Sequence, residues 1–175
     1  MECTQQTRSG IEPVASRITI ERTFSGDWCN RLAREPAIYA AISDDASPPA
    51  EQFDLTTTIR QPDNFFLLVR RDGKAVGYFG LLKRAPAIYE VHTVLSKACR
   101  GQSAIQAGCL ARDWMFGNAP CLMLVSYCPD NTPQTLLFAK RCGFTLFGQL
   151  RHTHTKNGVP HNTTYVYCVK HEGEN

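Results

Sequence analysis

The segment that most constrains the fold is residues 91–144. It begins with an apolar strand (residues 91–95) that runs into a basic glycine turn and then into an amphipathic helix; the turn reads Cys99-Arg100-Gly101-Gln102-Ser103-Ala104. A turn that opens a helix directly after a strand leaves backbone N–H groups unpaired, and the helix dipole adds positive charge at the same point. The sequence therefore predicts a site for the pyrophosphate of a phosphate-bearing cofactor at this edge of a sheet.

Turn residues and hydrophobic periodicity predict the elements before this segment. A strand at residues 17–24 ends at Ser25-Gly26-Asp27, which is typical of a helix N-cap, and Pro36 is expected to kink or split the helix that follows. Asp72-Gly73 marks a hairpin between strands at residues 64–71 and 74–83. A third strand at residues 87–95 continues the meander.

The second half of the chain is predicted to alternate helices and strands. A helix at residues 103–116 is followed by a strand at 121–127 and by a helix that begins at Thr132 and Pro133 and ends at Gly143. Two closing strands, 145–155 and 162–170, are joined at Asn157-Gly158. This order predicts an α/β fold with a mixed, mostly antiparallel central sheet flanked by helices.

Composition limits the domain organisation and the classes of partner. With 175 residues, 43% of them hydrophobic, the chain is expected to form one domain over residues 1–175, with a core at about 17–170 and short flexible termini. Its net charge of +3 is spread along the chain, so no basic run indicates nucleic-acid binding. Its apolar runs are far shorter than the ~20 residues that cross a bilayer. Met1-Glu2-Cys3-Thr4-Gln5-Gln6 lacks the pattern of a signal peptide, which favours a cytoplasmic protein.

The cysteines and histidines are the candidate disulfide and metal-binding residues of the chain. The eight cysteines are scattered singly, without a C-x-x-C pair, and most lie in apolar segments, which favours reduced, buried thiols. His152 and His154 would share one face of a strand and could hold a metal. Because no third ligand accompanies them, a solvated strand face is preferred and no metal is predicted.

The layout of residues 18–169 resembles that of the GNAT superfamily of acyl-CoA-dependent N-acetyltransferases. The family's pyrophosphate loop has the pattern Gln/Arg-x-x-Gly-x-Gly/Ala; residues 100–105 keep the leading arginine but have Ser103 and Ile105 at the two signature positions. The resemblance implies transfer of an acetyl group from acetyl-CoA to a primary amine of a small molecule or a protein. Its implied pyrophosphate contacts are Arg100, Gly101, Gln102, Ser103 and Ala104. A plain strand-to-helix turn is the alternative.

Two further features carry the resemblance to the cofactor site. Asn131 and the pair Gly143-Phe144 resemble the asparagine and Gly-Phe pair that bracket the family's last helix. The resemblance implies that Asn131 contacts the pantetheine arm, the alternative being a loop asparagine that bonds its own backbone. It also implies that the backbone N–H of Leu95, or that of Val94, polarises the thioester carbonyl.

The chemistry requires a proton acceptor for the amine and a proton donor for the thiolate. Glu90 and His92 lie two residues apart on a predicted strand, so both face one side and either could be the acceptor. A structural His–Glu pair is the alternative. The family's usual donor, a tyrosine on the last helix, is replaced here by Ala139, and Tyr127, with Ser126 or Cys128 beside it, is the candidate donor.

These departures favour a second interpretation. The Glu90-Val91-His92 strand, the altered loop and Ala139 resemble the divergent GNAT-like proteins encoded by tailed phages. That resemblance implies either modification of a host or virion protein in the host cytoplasm, or a catalytically silent interaction or assembly module.

Overall fold

A computed structural model describes residues 16–171. The expectations for Met1 to Gln6, including Cys3, and for the C-terminal end lie outside these residues. The elements in chain order are β1 (Ile18–Arg22), α1 (Gly26–Ala33), α2 (Pro36–Ile42), a 3-10 turn (Ala50–Gln52), α3 (Thr56–Arg60), β2 (Phe65–Arg71), β3 (Lys74–Ala85), β4 (Ile88–Leu95), α4 (Gln102–Asn118), β5 (Met123–Pro129), α5 (Pro133–Arg141), β6 (Thr145–Lys156) and β7 (Val159–Val169).

The strands form one sheet of seven in the order β1-β2-β3-β4-β5-β7-β6. Only β4 and β5 are parallel among the described strands, so the mixed, mostly antiparallel sheet is confirmed. Both predicted hairpins form, and their turn residues take positive φ as a type I′ turn requires. Those residues are Asp72 (50°) and Gly73 (80°), and Asn157 (54°) and Gly158 (73°). Pro36 splits the first helical region, because α2 begins at it.

Helices pack against both faces of the sheet. One buried cluster includes Ala104, Ala107 and Ala111 of α4 with Leu67 of β2 and Leu124 of β5. A second cluster joins α1, α2 and α3 to the other face of β2, β3 and β4. Within residues 16–171, no helix is long and apolar enough to cross a membrane.

The buried side of α4 differs from the sequence prediction. Hydrophobic spacing predicts that Ile105, Cys109, Ala111 or Arg112, and Phe116 share one side of α4. Ala111 and Phe116 are buried, but Ile105 and Cys109 are only partly buried, and Ala104 and Ala107 face the sheet instead. Small side chains allow the helix to approach the sheet closely, so size rather than hydrophobicity alone decides which face is buried.

The cysteines form no disulfide within the described part of the chain, and six of the seven there are buried. Burial raises the pKa of Cys29 and Cys142 to about 12 and that of Cys121 to about 11. A thiol that is this difficult to ionise is chemically inert, since the thiolate is the reactive form. These residues act as small apolar core side chains, as the sequence indicated.

Candidate functional site

The parallel strands β4 and β5 separate soon after they meet. Their ladder covers only residues 88–90 opposite 123–125. At the next position the Ser126 hydroxyl donates to the Val91 carbonyl over 3.1 Å, and β5 continues along β7 as far as Pro129. Beyond this point no ladder joins the two strands, which leaves a candidate cleft between the end of β4 and the end of β5.

Backbone donors line the β4 side of this cleft. The Ser96 N–H donates to the Val76 carbonyl at 2.9 Å, so it points away from the cleft towards β3. Because successive N–H groups of a strand point to alternate sides, the N–H of Leu95 points into the cleft and that of Val94 points towards β3. Of the two predicted donors, the geometry favours Leu95.

The N-terminus of α4 lies just after β4. Gly101 occupies its N-cap position with φ of +60°, a conformation that glycine adopts without strain. No atom lies within 4 Å of the position that a Cβ would take there, so the space above the turn is open. The first intrahelical bond of this turn runs from the Ile105 N–H to the Gly101 carbonyl. The amides of Gln102, Ser103 and Ala104 precede it, so they are helix-end donors without an intrahelical acceptor.

Glu90 is held in a three-residue ionic network. Its side chain is only 7% exposed; one carboxylate oxygen lies 2.8 Å from His92 Nε2 and the other accepts from Arg84 Nε. Burial by itself would raise the pKa of Glu90, but the hydrogen bonds and charges of His92 and Arg84 outweigh it and lower the pKa. Glu90 is therefore an ionised carboxylate at neutral pH, with both oxygens engaged.

The sequence pattern does not indicate that Arg84 belongs to this group. The β3–β4 register shifts between Lys83 and Ala85, which makes Arg84 a bulge residue. A bulge of this kind leaves no mark in the alternation pattern, so only the structure brings Arg84 to Glu90.

Tyr127 lies on the same face of the sheet as Glu90. Glu90 is paired with Val125, and Tyr127 follows two residues later. Burial, followed by the Glu90 charge, raises the pKa of Tyr127, so its phenol is protonated at neutral pH. The other two predicted donors are less available, because the Ser126 hydroxyl is bonded to Val91 and Cys128 is buried on the opposite face.

Helix α5 borders the cleft from the other side. Asn131 is exposed in the turn that leads into it. Ala139, at the position where the resemblance to GNAT acetyltransferases places a tyrosine, is buried with Cys128 and Val166 and offers no proton. Gly143 ends the helix with φ of +90°. Asn131, Ala139 and Gly143 thus lie before, within and after α5, and position 139 offers no hydroxyl.

A set of contacts that we call the clasp joins the loop after α2 to the tip of the β6–β7 hairpin. The Asp45 carboxylate accepts the N–H groups of Asn157 and Gly158, each at 2.7 Å, and Lys156 Nζ donates to the Ser43 carbonyl at 2.6 Å. The two backbone hydrogen bonds lower the pKa of Asp45. The clasp borders the face that carries Glu90 and His92, because α2 contacts β4 and the hairpin continues β7.

His152 and His154 do not share a face. The β6–β7 register shifts between Leu150 and His154, and His152 takes φ of +55°. His154 instead lies against His161, with 6.1 Å between ring centroids, and near Asp44. No group of three or more His, Cys, Asp or Glu side chains that could hold a metal ion occurs in the described part of the chain.

One family model matches most of the chain by sequence. The model of a family described as "Protein of unknown function (DUF2824)" matches residues 42–175. The chain belongs to this family. No curated protein sequence matches the DUF2824 chain.

Solved structures similar to the DUF2824 chain are acetyltransferases of the GNAT fold. One is spermidine N-acetyltransferase from Vibrio cholerae in complex with CoA and spermine, with a TM-score of 0.72 and 16% identity over 87% of this chain and 95% of that one. Another is RimL, the ribosomal L7/L12 alpha-N-protein acetyltransferase, in complex with coenzyme A, with a TM-score of 0.71 and 14% identity over 90% of this chain and 96% of that one. The chain shares their fold.

Proposed function

We propose that this protein is an acyl-CoA-dependent N-acetyltransferase that moves an acetyl group from acetyl-CoA to a primary amine. The observation that carries the proposal is the cleft between β4 and β5, which opens beside the N-terminus of α4 and next to the Glu90–His92 pair. Helix-end backbone donors and a proton acceptor are thus both placed near the end of β4, beside one cleft. The CoA-bound acetyltransferases of the same fold support the choice of cofactor.

The residues around α4 and the cleft fit acetyl-CoA. The amides of residues 101–104 and the exposed Arg100 guanidinium bind the pyrophosphate, and the open space over Gly101 lets the phosphates approach the backbone. Asn131 binds the pantetheine arm, and the Leu95 N–H donates to the thioester carbonyl. When bound, acetyl-CoA supplies an activated acyl group.

His92 takes the proton from the attacking amine. Its Nε2–H donates to the Glu90 carboxylate, which leaves Nδ1 with a lone pair for the amine. Glu90 itself is a weak acceptor because its pKa is lowered, so its role is to orient the imidazole and to stabilise its protonated form. Arg84 holds Glu90 in turn.

Tyr127 supplies the proton that the departing thiolate takes up. Its phenol is protonated at neutral pH, is 39% exposed and lies on the face that carries Glu90. A thiolate is a fair leaving group, because an ordinary thiol has a pKa of about 8.5. Loss of the Tyr127 hydroxyl is therefore expected to slow transfer without abolishing it.

Titration of the reduced protein with acetyl-CoA in a calorimeter tests the proposal. We expect micromolar binding that weakens about tenfold in Arg100→Ala, because one charged contact to the pyrophosphate is lost. Arg60→Ala, which removes an exposed arginine from α3, is the matched control and is expected to bind normally. Absence of binding at millimolar acetyl-CoA would overturn the proposal.

A transfer assay then tests the chemical roles. His92→Ala is expected to lower the rate of CoA release with an amine acceptor by a factor of about 10² to 10⁴ while acetyl-CoA binding is unchanged. Equal loss of binding and rate would assign His92 to the cofactor site instead.

A catalytically silent module is the second candidate. It is favoured by Ala139, which stands buried among apolar side chains where the usual acid would be. On that account, a folded protein with both Glu90 and His92 replaced by alanine keeps its biological activity.

A further inference from the structure

The face that carries Glu90 and His92 continues across β5, β7 and β6 as a series of aromatic side chains. We call Tyr127, Tyr165, Tyr167 and Phe147 the aromatic row. Tyr127 and Tyr165 meet edge to face with ring centroids 4.4 Å apart, and Phe147 meets Tyr167 in the same way at 6.3 Å. The row therefore starts beside the proposed proton acceptor and runs towards the free edge of the sheet.

The two ends of the row, Tyr127 and Phe147, are exposed, and Tyr165 and Tyr167 between them are half-buried. Helices α1, α2 and α3 pack on the same face, but over Phe66, Tyr78 and Val94 of β2, β3 and β4. Phe147 is 81% exposed, because the register shift between Leu146 and Gly148 makes it a bulge residue that turns to solvent. A phenylalanine held out of the core, on the face of the sheet that carries the candidate active site, indicates a contact surface for a ligand.

The charges near the row do not favour a strongly cationic ligand. The row itself contains no carboxylate. Glu90 is engaged by Arg84 and His92, Asp130 in the turn after β5 by the ring of His161 at 2.9 Å, and Asp45 by two backbone N–H groups of the clasp. A polyamine requires several unpaired acidic groups to replace its lost hydration, and the row offers aromatic surface instead.

The dimensions of the row suit an extended chain. Glu90 is paired with Val125, Val125 with Tyr167, and Tyr167 with Thr145, so the path from β4 to β6 crosses three strand spacings. At about 4.8 Å each this is about 14 Å. An extended peptide covers that length with about five residues.

We infer that the acceptor is the free amino end of an extended peptide that carries apolar side chains within its first five residues. Its amine lies at His92 and its apolar side chains pack along the aromatic row. The inference rests on the proposed function, since it names the acceptor of the same transfer.

Fluorescence anisotropy tests this with the peptide Ala-Phe-Ala-Leu-Ala, with a free amino end and fluorescein at its C-terminus, in the presence and absence of CoA. We expect binding to the unaltered protein and a loss of about tenfold in Phe147→Ser, which removes one apolar contact. Leu122→Ser is the matched control: Leu122 is 62% exposed but precedes β5 at the far end of the strand. That variant is expected to bind normally.

Two further ligands test whether the apolar side chains of the peptide are what the protein recognises. The peptide Ala-Ser-Ala-Ser-Ala is expected to bind about tenfold more weakly, and millimolar spermidine is expected not to displace the labelled peptide. Equal binding of the apolar and serine peptides, equal binding by Phe147→Ser, or displacement by spermidine would overturn the inference.

The calorimetric titration with acetyl-CoA separates the two proposals. If the protein binds acetyl-CoA but not the apolar peptide, the acceptor assignment is wrong and the proposed transferase function stands. If it binds the peptide but not acetyl-CoA, the aromatic row is a peptide site and the transferase proposal is wrong.

Discussion

At the scale of single residues, Glu90 is a side chain that is buried and nevertheless charged. A buried carboxylate is ordinarily pushed towards its neutral form, but here His92 and Arg84 keep it ionised. Its folded-state pKa is below the ordinary value of 4.5. The ionised form therefore favours the folded state, and the stabilisation is complete above pH 4.5 and lost as the pH falls through the lowered pKa.

Glu90→Gln tests this electrostatic stabilisation, because glutamine keeps the shape of the glutamate side chain and removes its charge. We expect the variant to be less stable by about 1–2 kcal/mol at pH 7. The difference should shrink at pH 3, because the unaltered protein progressively loses its own contribution as the pH falls below 4.5. Urea unfolding at the two pH values measures it, and Glu51→Gln, at an exposed site in the 3-10 turn, is the control. An equal difference at both pH values would contradict the ionic account.

The sequence identified part of this site. Glu90 and His92 followed from the period of two along a strand, and Gly101 from a turn between a strand and a helix. Arg84 and Phe147 could not be identified in that way, because both are bulge residues and a bulge depends on the pairing of two strands. The roles of all these residues stay predictions.

At the scale of elements, the contact of α4 with α5 depends on a glycine. A Cβ at Gly108 would lie 2.5 Å from Cys142 Sγ and 2.9 Å from the Phe138 ring. Both neighbours are themselves packed, so the second helix would have to move.

Gly108→Ala is therefore expected to lower the free energy of unfolding by about 1–3 kcal/mol. Gly117→Ala, in the same helix, is the matched control: no atom lies within 4 Å of its Cβ position, and alanine there is expected to add about 0.5–1 kcal/mol. Urea unfolding of both variants measures the two changes. Stabilisation by both would mean that α4 and α5 are not in close contact.

The elements themselves were largely predictable, and their packing was not. Asp72-Gly73 and Asn157-Gly158 located both hairpins, and Pro36 located a helix boundary, since each acts through local backbone geometry. The buried face of α4 was assigned wrongly at Ile105 and Cys109, because an alanine stripe carries little hydrophobic signal although it permits the closest approach.

At the scale of the whole molecule, the core contains many thiols. Cys29, Cys99 and Cys128 are almost inaccessible, and burial raises the pKa of each. Because a thiol reagent needs both contact with solvent and a thiolate, the reactivity of these groups reports on opening of the fold.

We expect a thiol reagent to modify Cys109, which is partly exposed, and to reach the six buried cysteines of residues 16–171 only on unfolding. A Cys3→Ser background restricts the measurement to the described part of the chain. Mass spectrometry over a urea series should show the six modified together at the unfolding midpoint. Rapid modification of a second cysteine in native buffer would contradict this packing.

The early end of the β4–β5 ladder also has a mechanical consequence. The strands β1–β4 are paired with the strands β5–β7 at only three positions of the β4–β5 ladder, with a further hydrogen bond from the Ser126 hydroxyl. The other neighbouring strands are paired over longer stretches. The sheet thus has one weakly hydrogen-bonded strand pair, and that pair adjoins the proposed cofactor cleft. A ligand bound there would bridge the two halves of the sheet. The mechanical force needed to separate the halves should therefore rise when the cleft is occupied.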